Sequence, residues 1–539
     1  MKLTAYLLAL FYFHAQIIDA ATQNTGKGRN RTQSVRIAPR HAKQPPPRSL
    51  EEGQRQYEKA GQLLLSGYQH IDENRLDQAL EVCRESARIY AGLTQPAAVM
   101  AHICIADVFF RKKDYQGAKR EAEKSLEVIA GLVKIESRIN DMRFGAQINH
   151  LKSYEKYRGL LIAGQSLNYV GENEAALSRL QEARDIANGL NKPDLLADAL
   201  TGLGKVQVSL QKYDEALENY EAALSIYKQC PGAGCPQKRA YVADQIGIAH
   251  AEQGNFKTAL VKFQEALEMM KALNDTEGIP YAQANIGCVY AAMRNLTEAR
   301  EYYKKALSGF KQDTLQQSIT WNNLAIVAYY EAKLGEAEIN ARKAAKLAER
   351  IGANEHIAIA QNTLGNIYLA RVRADKVRNK MLFNAARTAY LSSLKNGGGV
   401  IVDVNLSRLE YDEGNYSGAV KRARRASERA RQYIKPDLFT RAKQIEGKAL
   451  RKLGRLQEAA DALREAVRSA ENERGMAAGD WKNLYLFFET KSDPHRDLID
   501  ILVELYQRSG SKDGLGEALR YAEQSKARVI LDMLRNKVK

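Results

Sequence analysis

Small and apolar positions along this chain recur at helical spacings of three and four, not at the alternation expected of strands. From about residue 52 a short turn is followed, at a fixed period, by an alanine and a helix-forming stretch. Arg75-Leu-Asp-Gln-Ala79, Lys212-Tyr-Asp-Glu-Ala216, Asn255-Phe-Lys-Thr-Ala259, Asn295-Leu-Thr-Glu-Ala299 and Arg455-Leu-Gln-Glu-Ala459 are examples. The alanines fall at 79, 118, 176, 216, 259, 299, 337, 419 and 459, and most neighbours are 38 to 43 residues apart. Twelve residues ahead of their alanines stand Gly204, Gly247, Gly287, Ala325 and Gly447. Four residues beyond three of them stand Tyr220, Phe263 and Tyr303, and three further on Ala223, Ala266 and Ala306. These offsets place the residues on one face of each helix. Small residues let two antiparallel helices approach, and the larger ones fill the seam between them. The pattern predicts pairs of helices, one pair per repeat, stacked along the chain.

The exceptions also carry information. The steps from Ala118 to Ala176 and from Ala459 to Ala518 are each longer by about 18 residues, and Gly365 precedes Ala386 by 21 instead of 12. The last irregularity implies about nine extra residues, assigned to a loop over Arg371–Asn379. Gly397-Gly398-Gly399 lacks a lysine and reads as a turn between repeats, not a phosphate loop. Pro96, Pro193, Pro231, Pro236, Pro280, Pro436 and Pro494 fall at expected breaks, where proline is tolerated.

The Leu-Gly pairing in first helices, followed by alanine, an aromatic and alanine in second helices, resembles the tetratricopeptide repeat. The clearest copy contains Trp321, Leu324, Ala325, Ala337, Ala341 and Ala344. The period of about 40 departs from the family's 34 and suggests longer helices. The resemblance implies an all-α fold: a right-handed superhelical solenoid of antiparallel helix pairs, about ten to eleven repeats, over residues 51–470. It implies a non-catalytic scaffold binding a partner protein or extended peptide on its concave face, which first helices build. Counted from each repeat's small residue, the inward-facing positions are Asn322, Tyr329, Asn362, Asn366, Asn405, Arg441 and Lys448. Asparagine amides can bond a peptide backbone, and Arg or Lys a carboxylate. The set is partly similar to the carboxylate clamp of some such proteins, although Asn362 and Ile445 occupy the places of its first Lys and last Arg. A merely solvated face is the competing reading.

Composition changes the picture mainly at the ends. With 45% hydrophobic and 27% charged residues, the 539-residue chain has the make-up of a folded protein. A mean hydropathy of −0.45 excludes a polytopic membrane protein. Lys2 precedes the apolar run Leu3–Ile18 and the small residues Ala20 and Ala21, so residues 1–20 read as a secretory signal. That points to a secreted or periplasmic location; an uncleaved anchor over residues 3–18 is the alternative. Residues 21–50 carry seven cations, no acid and Pro45-Pro46-Pro47, and read as a disordered basic linker. The net charge of +17 resolves into +7 on that linker, +1 over residues 51–419 and +9 over residues 420–539. The basic ends suit weak association with an anionic surface. The run Lys421, Arg422, Arg424, Arg425, Arg429 and Arg431 spreads over more than one helical face and has few stacking aromatics, which argues against nucleic acid.

Candidate chemistry is sparse. The eight histidines are scattered without a zinc-binding spacing, and no cofactor or metal is implied. Cys230 and Cys235 flank a Pro-Gly-Ala-Gly loop and can form a disulfide in an exported chain, whereas Cys83, Cys104 and Cys288 read as core thiols. Residues 471–539 are expected to form C-terminal helices. Glu523, Lys526, Ala527, Arg528, Leu531, Asp532 and Leu534 resemble the helix preceding the caspase-like peptidase domain of CHAT proteins. That resemblance implies an alternative function, the regulatory half of a protease whose catalytic domain is separate; a polar capping repeat explains the same residues.

Overall fold

A computed structural model describes residues 50–93, 95–136, 151–232, 234–310, 314–374, 379–473, 494–509 and 514–523. Every regular element among them is helical. The helices are α1 (Leu50–Asp72), α2 (Leu76–Leu93), α3 (Gln95–Arg111), α4 (Tyr115–Glu136), α5 (Lys156–Tyr169, after a π-turn over Leu151–Glu155), α6 (Asn173–Gly189), α7 (Pro193–Ser209), α8 (Tyr213–Gln229), α9 (Cys235–Glu252) and α10 (Phe256–Ala272). They continue as α11 (Gly278–Ala292), α12 (Leu296–Gly309), α13 (Leu315–Tyr330), α14 (Leu334–Arg350), α15 (Asn354–Ala374), α16 (Lys380–Lys395), α17 (Gly399–Glu413), α18 (Tyr416–Gln432), α19 (Pro436–Lys452), α20 (Leu456–Glu473) and α21 (Pro494–Ser509). Residues 514–523 are helical as well. Odd- and even-numbered helices pair antiparallel across short turns, so the fold is all-α and built of helix-pair repeats. Contacts divide the chain into two units, 1–245 and 246–539, and the division falls inside α9.

Each pair closes in the same way. The alanines at 79, 118, 176, 216, 259, 299, 337, 386, 419 and 459 are all fully buried. Sixteen residues after the small residue of a first helix, a large side chain of the second helix lies flat against it. A Cβ added to Gly204 would sit 2.5 Å from the Tyr220 ring; at Gly247 it would meet Phe263 at 2.7 Å, at Gly287 Tyr303 at 2.8 Å, and at Gly447 Leu463 at 2.6 Å. Complete burial of each such side chain stabilises its pair by about 1.5–3 kcal/mol. Pro193 and Pro436 open α7 and α19, where the missing N–H breaks no helical bond. Gly414 closes α17 at φ 89°, a conformation that costs glycine little.

Two expectations meet different facts. The segment assigned to a loop after Gly365 is helical as far as Ala374. The extra length extends the first helix because it has partners there: Val372 is buried, Arg371 pairs with Glu338, and Arg373 Nε donates to Asp412 at 2.9 Å. Cys83 and Cys104 are not separate thiols; their sulfurs lie at bonding distance, 1.99 Å, joining α2 to α3. Both face the α2–α3 seam, which helical position alone cannot reveal. Cys288 is free and buried.

At the C-terminal end α21 packs against the last repeat through buried Leu498, Ile501 and Leu502. Arg464 binds both oxygens of Glu517 at 2.8 and 2.7 Å, which ties residues 514–523 to α20. The signal over 1–20, nearly all of the 21–50 linker, and Lys526 to Leu534 of the pre-peptidase motif lie outside the described residues. Among the described residues no helix is long and apolar enough to cross a membrane.

Candidate functional site

The most organised polar surface in the second unit lies on its first helices, α13, α15, α17 and α19. Asn322 and Asn362 each stand three residues before the small residue of their helix, Ala325 and Gly365. Asn405 Nδ2 donates to Asn362 Oδ1 at 2.8 Å, linking α17 to α15. The row is not closed. Asn362 Nδ2 and Asn322 Oδ1 have no hydrogen-bond partner among the described residues. The two side chains belong to residues only 2% and 4% exposed, so water does not readily replace the missing partner. A buried donor and a buried acceptor thus stand orphaned on successive repeats, at about 1–3 kcal/mol each.

Beside this row is a cationic cluster. The Tyr390 hydroxyl donates to Asn366 Oδ1 at 2.7 Å, and the Arg373 and Arg408 guanidiniums lie close enough to act on the same phenol. Burial pushes Arg408 down to about 10, and repulsion from Arg373 and Arg441 adds to it. Arg441 is lowered by burial too, with Asp437 opposing the shift and the Tyr330 and Tyr390 phenols nearby. Burial raises Tyr329, against the pull of Arg373 and Arg408. Five helices, α13, α15, α16, α17 and α19, therefore crowd guanidiniums and phenols together, with Asp412 and Asp437 as the neighbouring acids. Such a surface favours an anionic group.

The residues singled out in the sequence meet different fates. Asn322, Asn362 and Asn405 form the row, and Asn366, Tyr329 and Arg441 border the cluster. Lys448 Nζ is instead held by Asp497 of α21 at 3.0 Å. Arg373 and Arg408 were not singled out. Arg408 follows Ser407, the small residue twelve before Ala419, as Asn366 follows Gly365 and Lys448 follows Gly447. Recognising Ser407 as a small-residue position would have found it. In the first unit the same register holds Lys205, whose Nζ lies 3.2 Å from the Tyr169 hydroxyl and over the Tyr169 and Tyr241 rings at 5.1 and 5.6 Å.

The arginine-rich α18 proves largely structural. Arg422 Nε binds Glu410 at 3.0 Å, Arg429 binds Asp403, Arg424 binds Glu446 at 2.6 Å and Glu458 at 3.2 Å, and Arg431 binds Glu465 at 3.1 Å. The sulfurs of Cys230 and Cys235 lie at bonding distance, 2.00 Å, between α8 and α9. Among the described residues no group of three His, Cys, Asp or Glu side chains is placed to hold a metal.

Residues 160–229 and 239–312 match one family model described as tetratricopeptide repeat, and residues 404–474 match a second with the same description. The chain therefore carries tetratricopeptide repeats in both units. Curated relatives include a kinesin light chain-related protein of Arabidopsis thaliana, 27% identical over 29% of this chain and 24% of that protein. Another is an outer dynein arm-docking complex subunit of Mus musculus, 24% identical over 54% of this chain and 46% of that protein. The chain thus spans less than half the length of either. Similar solved structures include RapI in its apo form (16% identity, TM-score 0.48, 70% of this chain and 98% of that one). A Rap protein complexed with competence and sporulation factor is also similar (15% identity, TM-score 0.46, 75% of this chain and 99% of that one).

Proposed function

We propose that the protein is an exported, non-catalytic scaffold that holds an extended segment of a partner protein or peptide along the first-helix face of its second unit. One observation carries this reading: the buried, unpaired Asn322 Oδ1 and Asn362 Nδ2. An extended peptide presents one N–H and one C=O per residue. On binding, the two asparagine side chains would turn out toward the ligand, whose N–H would donate to Asn322 Oδ1 and whose C=O would accept from Asn362 Nδ2, satisfying both orphans at once. The Arg373, Arg408 and Arg441 cluster would receive acidic side chains or a terminal carboxylate of the same ligand. Export is supported by the signal-like first 20 residues and by two cysteine pairs at bonding distance, since disulfides persist in oxidising compartments.

Peptide-library selection on the full chain, followed by fluorescence polarisation with the enriched peptides, tests the groove. Each backbone hydrogen bond contributes about 1 kcal/mol, so Asn322→Ala with Asn362→Ala should weaken binding by about tenfold or more. Asn322→Ala removes an unpaired acceptor and should cost the free protein little, whereas Asn362→Ala also strips Asn405 Nδ2 of its acceptor and should cost about 1–3 kcal/mol, so affinities are compared well below each variant's unfolding midpoint. Unchanged peptide affinity in the double variant would refute the groove. N-terminal sequencing of the mature chain after fractionation tests export.

A further inference from the structure

Four of the cations of α18 are tied to acids on neighbouring helices, and two are not. Lys421 and Arg425 face the same side of α18 one turn apart, both exposed, and neither has an ion-pair or hydrogen-bond partner among the described residues. Like charges at this spacing repel and weaken a helix by about 0.2–0.5 kcal/mol. Glu428, three residues beyond Arg425 and within helical reach of it, makes no pair with it. The two cations line a cavity of about 360 Å³ together with Ser417, Arg424, Arg455 and one acid, Glu428, over the buried methyls of Val420. Ser417, Lys421, Arg424 and Arg425 come from one face of α18, while Arg455 is delivered from the turn between α19 and α20 of the next repeat. Arg424 and Arg455 share Glu458, with Arg455 held at 2.6 Å, so even with the Glu428 carboxylate at its edge the cavity keeps a positive surplus, carried mainly by Lys421 and Arg425.

We propose that this cavity binds a phosphoryl group carried on a compact molecule. The chemistry selects the class. A phosphate monoester carries about −1.5 to −2 charge near neutral pH and three strong acceptor oxygens. Arg425 offers a planar fork for two oxygens, Lys421 a point charge and Ser417 a hydroxyl donor. A lone carboxylate, with one charge and two oxygens, leaves one of these donors idle. The volume is at the lower end of small-molecule sites, enough for the phosphoryl group and a body the size of glycerol or a sugar. The site lies on a second helix, away from the asparagine row on the first helices, and is independent of peptide binding there.

Titration calorimetry on the full chain tests the proposal with glycerol 3-phosphate in one arm, vesicles containing phosphatidic acid in another and acetate as the carboxylate control. Saturable binding of glycerol 3-phosphate, weakened about tenfold by Lys421→Gln with Arg425→Gln and further by added salt, is the expected result. Binding of vesicles alone, with the same dependence on Lys421 and Arg425, would assign the phosphoryl group to a lipid headgroup. Lys346→Gln, an exposed cation on α14, controls for loss of net charge and should bind as the wild type does. Unfolding midpoints matched between variants exclude misfolding as the cause. No binding of either phosphate, equal binding of acetate, or undiminished affinity in the double variant overturns the proposal.

Discussion

Gly204→Ala should destabilise the α7–α8 pair, although alanine is the better helix former. Gly204 lies inside α7, and its added Cβ would approach three atoms of the Tyr220 ring at 2.5, 2.8 and 2.8 Å. That ring is 1% exposed and cannot swing out without opening the seam. Overpacking a filled core costs about 1–3 kcal/mol, while replacing glycine by alanine within a helix returns about 1 kcal/mol. The net is a loss of about 0–2 kcal/mol, concentrated in one repeat because each repeat contacts mainly its neighbours. Gly131→Ala is the matched control. Gly131 lies inside α4, nothing would come within 4 Å of its Cβ, and the propensity gain should appear alone, as about 0.5–1 kcal/mol of added stability. Urea unfolding reports the sign of each change, and hydrogen exchange shows whether protection falls in α7 and α8 first. If Gly204→Ala is as stabilising as Gly131→Ala, the close small-residue seam is not what closes these repeats.

Two further changes probe the charged contacts. Asp403 is 3% exposed on α17, binds Arg429 and lies 3.9 Å from Arg422, so Asp403→Asn should cost about 1–3 kcal/mol in urea unfolding, and a loss below about 0.5 kcal/mol would refute its role. The hydrogen bond from Arg464 holds the Glu517 carboxyl below its ordinary value of 4.5, so the folded form binds fewer protons than the unfolded form. The resulting stability is fully present above that value and is lost as pH falls through the lower folded-state value. Hydrogen-exchange protection over residues 514–523, taken relative to the intrinsic rate at each pH, should therefore fall on acidification below about pH 4.5, and Glu517→Gln should flatten the response; an equally steep response in the variant would refute the link.

The architecture was legible because the signal repeats. A single alanine followed by an aromatic four residues later says little, but ten alanines in register all prove to be fully buried. The seam could be read as far as it depended on one position per helix: Gly204, Gly247 and Gly287 each meet the large residue singled out for them, and Gly447 meets Leu463, which stands at the same offset but was not singled out. Reading failed where two elements had to be known together. Ser407 is a small residue only by comparison with Ala419, and without it Arg408 had no register. The nine-residue excess after Gly365 looked like a loop because Arg371 and Arg373 suggest solvent, yet Glu338 and Asp412 on neighbouring helices hold them in an extended α15. The Cys83–Cys104 contact has the same origin, since only the α2–α3 packing brings the sulfurs together.

The charge of the chain shows most clearly what counting cannot supply. Residues 420–539 carry an excess of nine positive charges, and α18 is their densest stretch. A sum over the sequence treats all these cations as available to a partner. In the fold, Asp403 and Glu410 of α17, Glu446 of α19, and Glu458 and Glu465 of α20 reach across to four of the arginines, so those charges mainly join neighbouring repeats. A cation's availability depends on whether a neighbouring helix presents an acid at its height, which is a property of repeat register and not of composition. By that criterion Lys421 and Arg425 stand apart from the rest of their helix. Removing either should leave the stack standing, whereas removing Arg424 or Arg429 should loosen it.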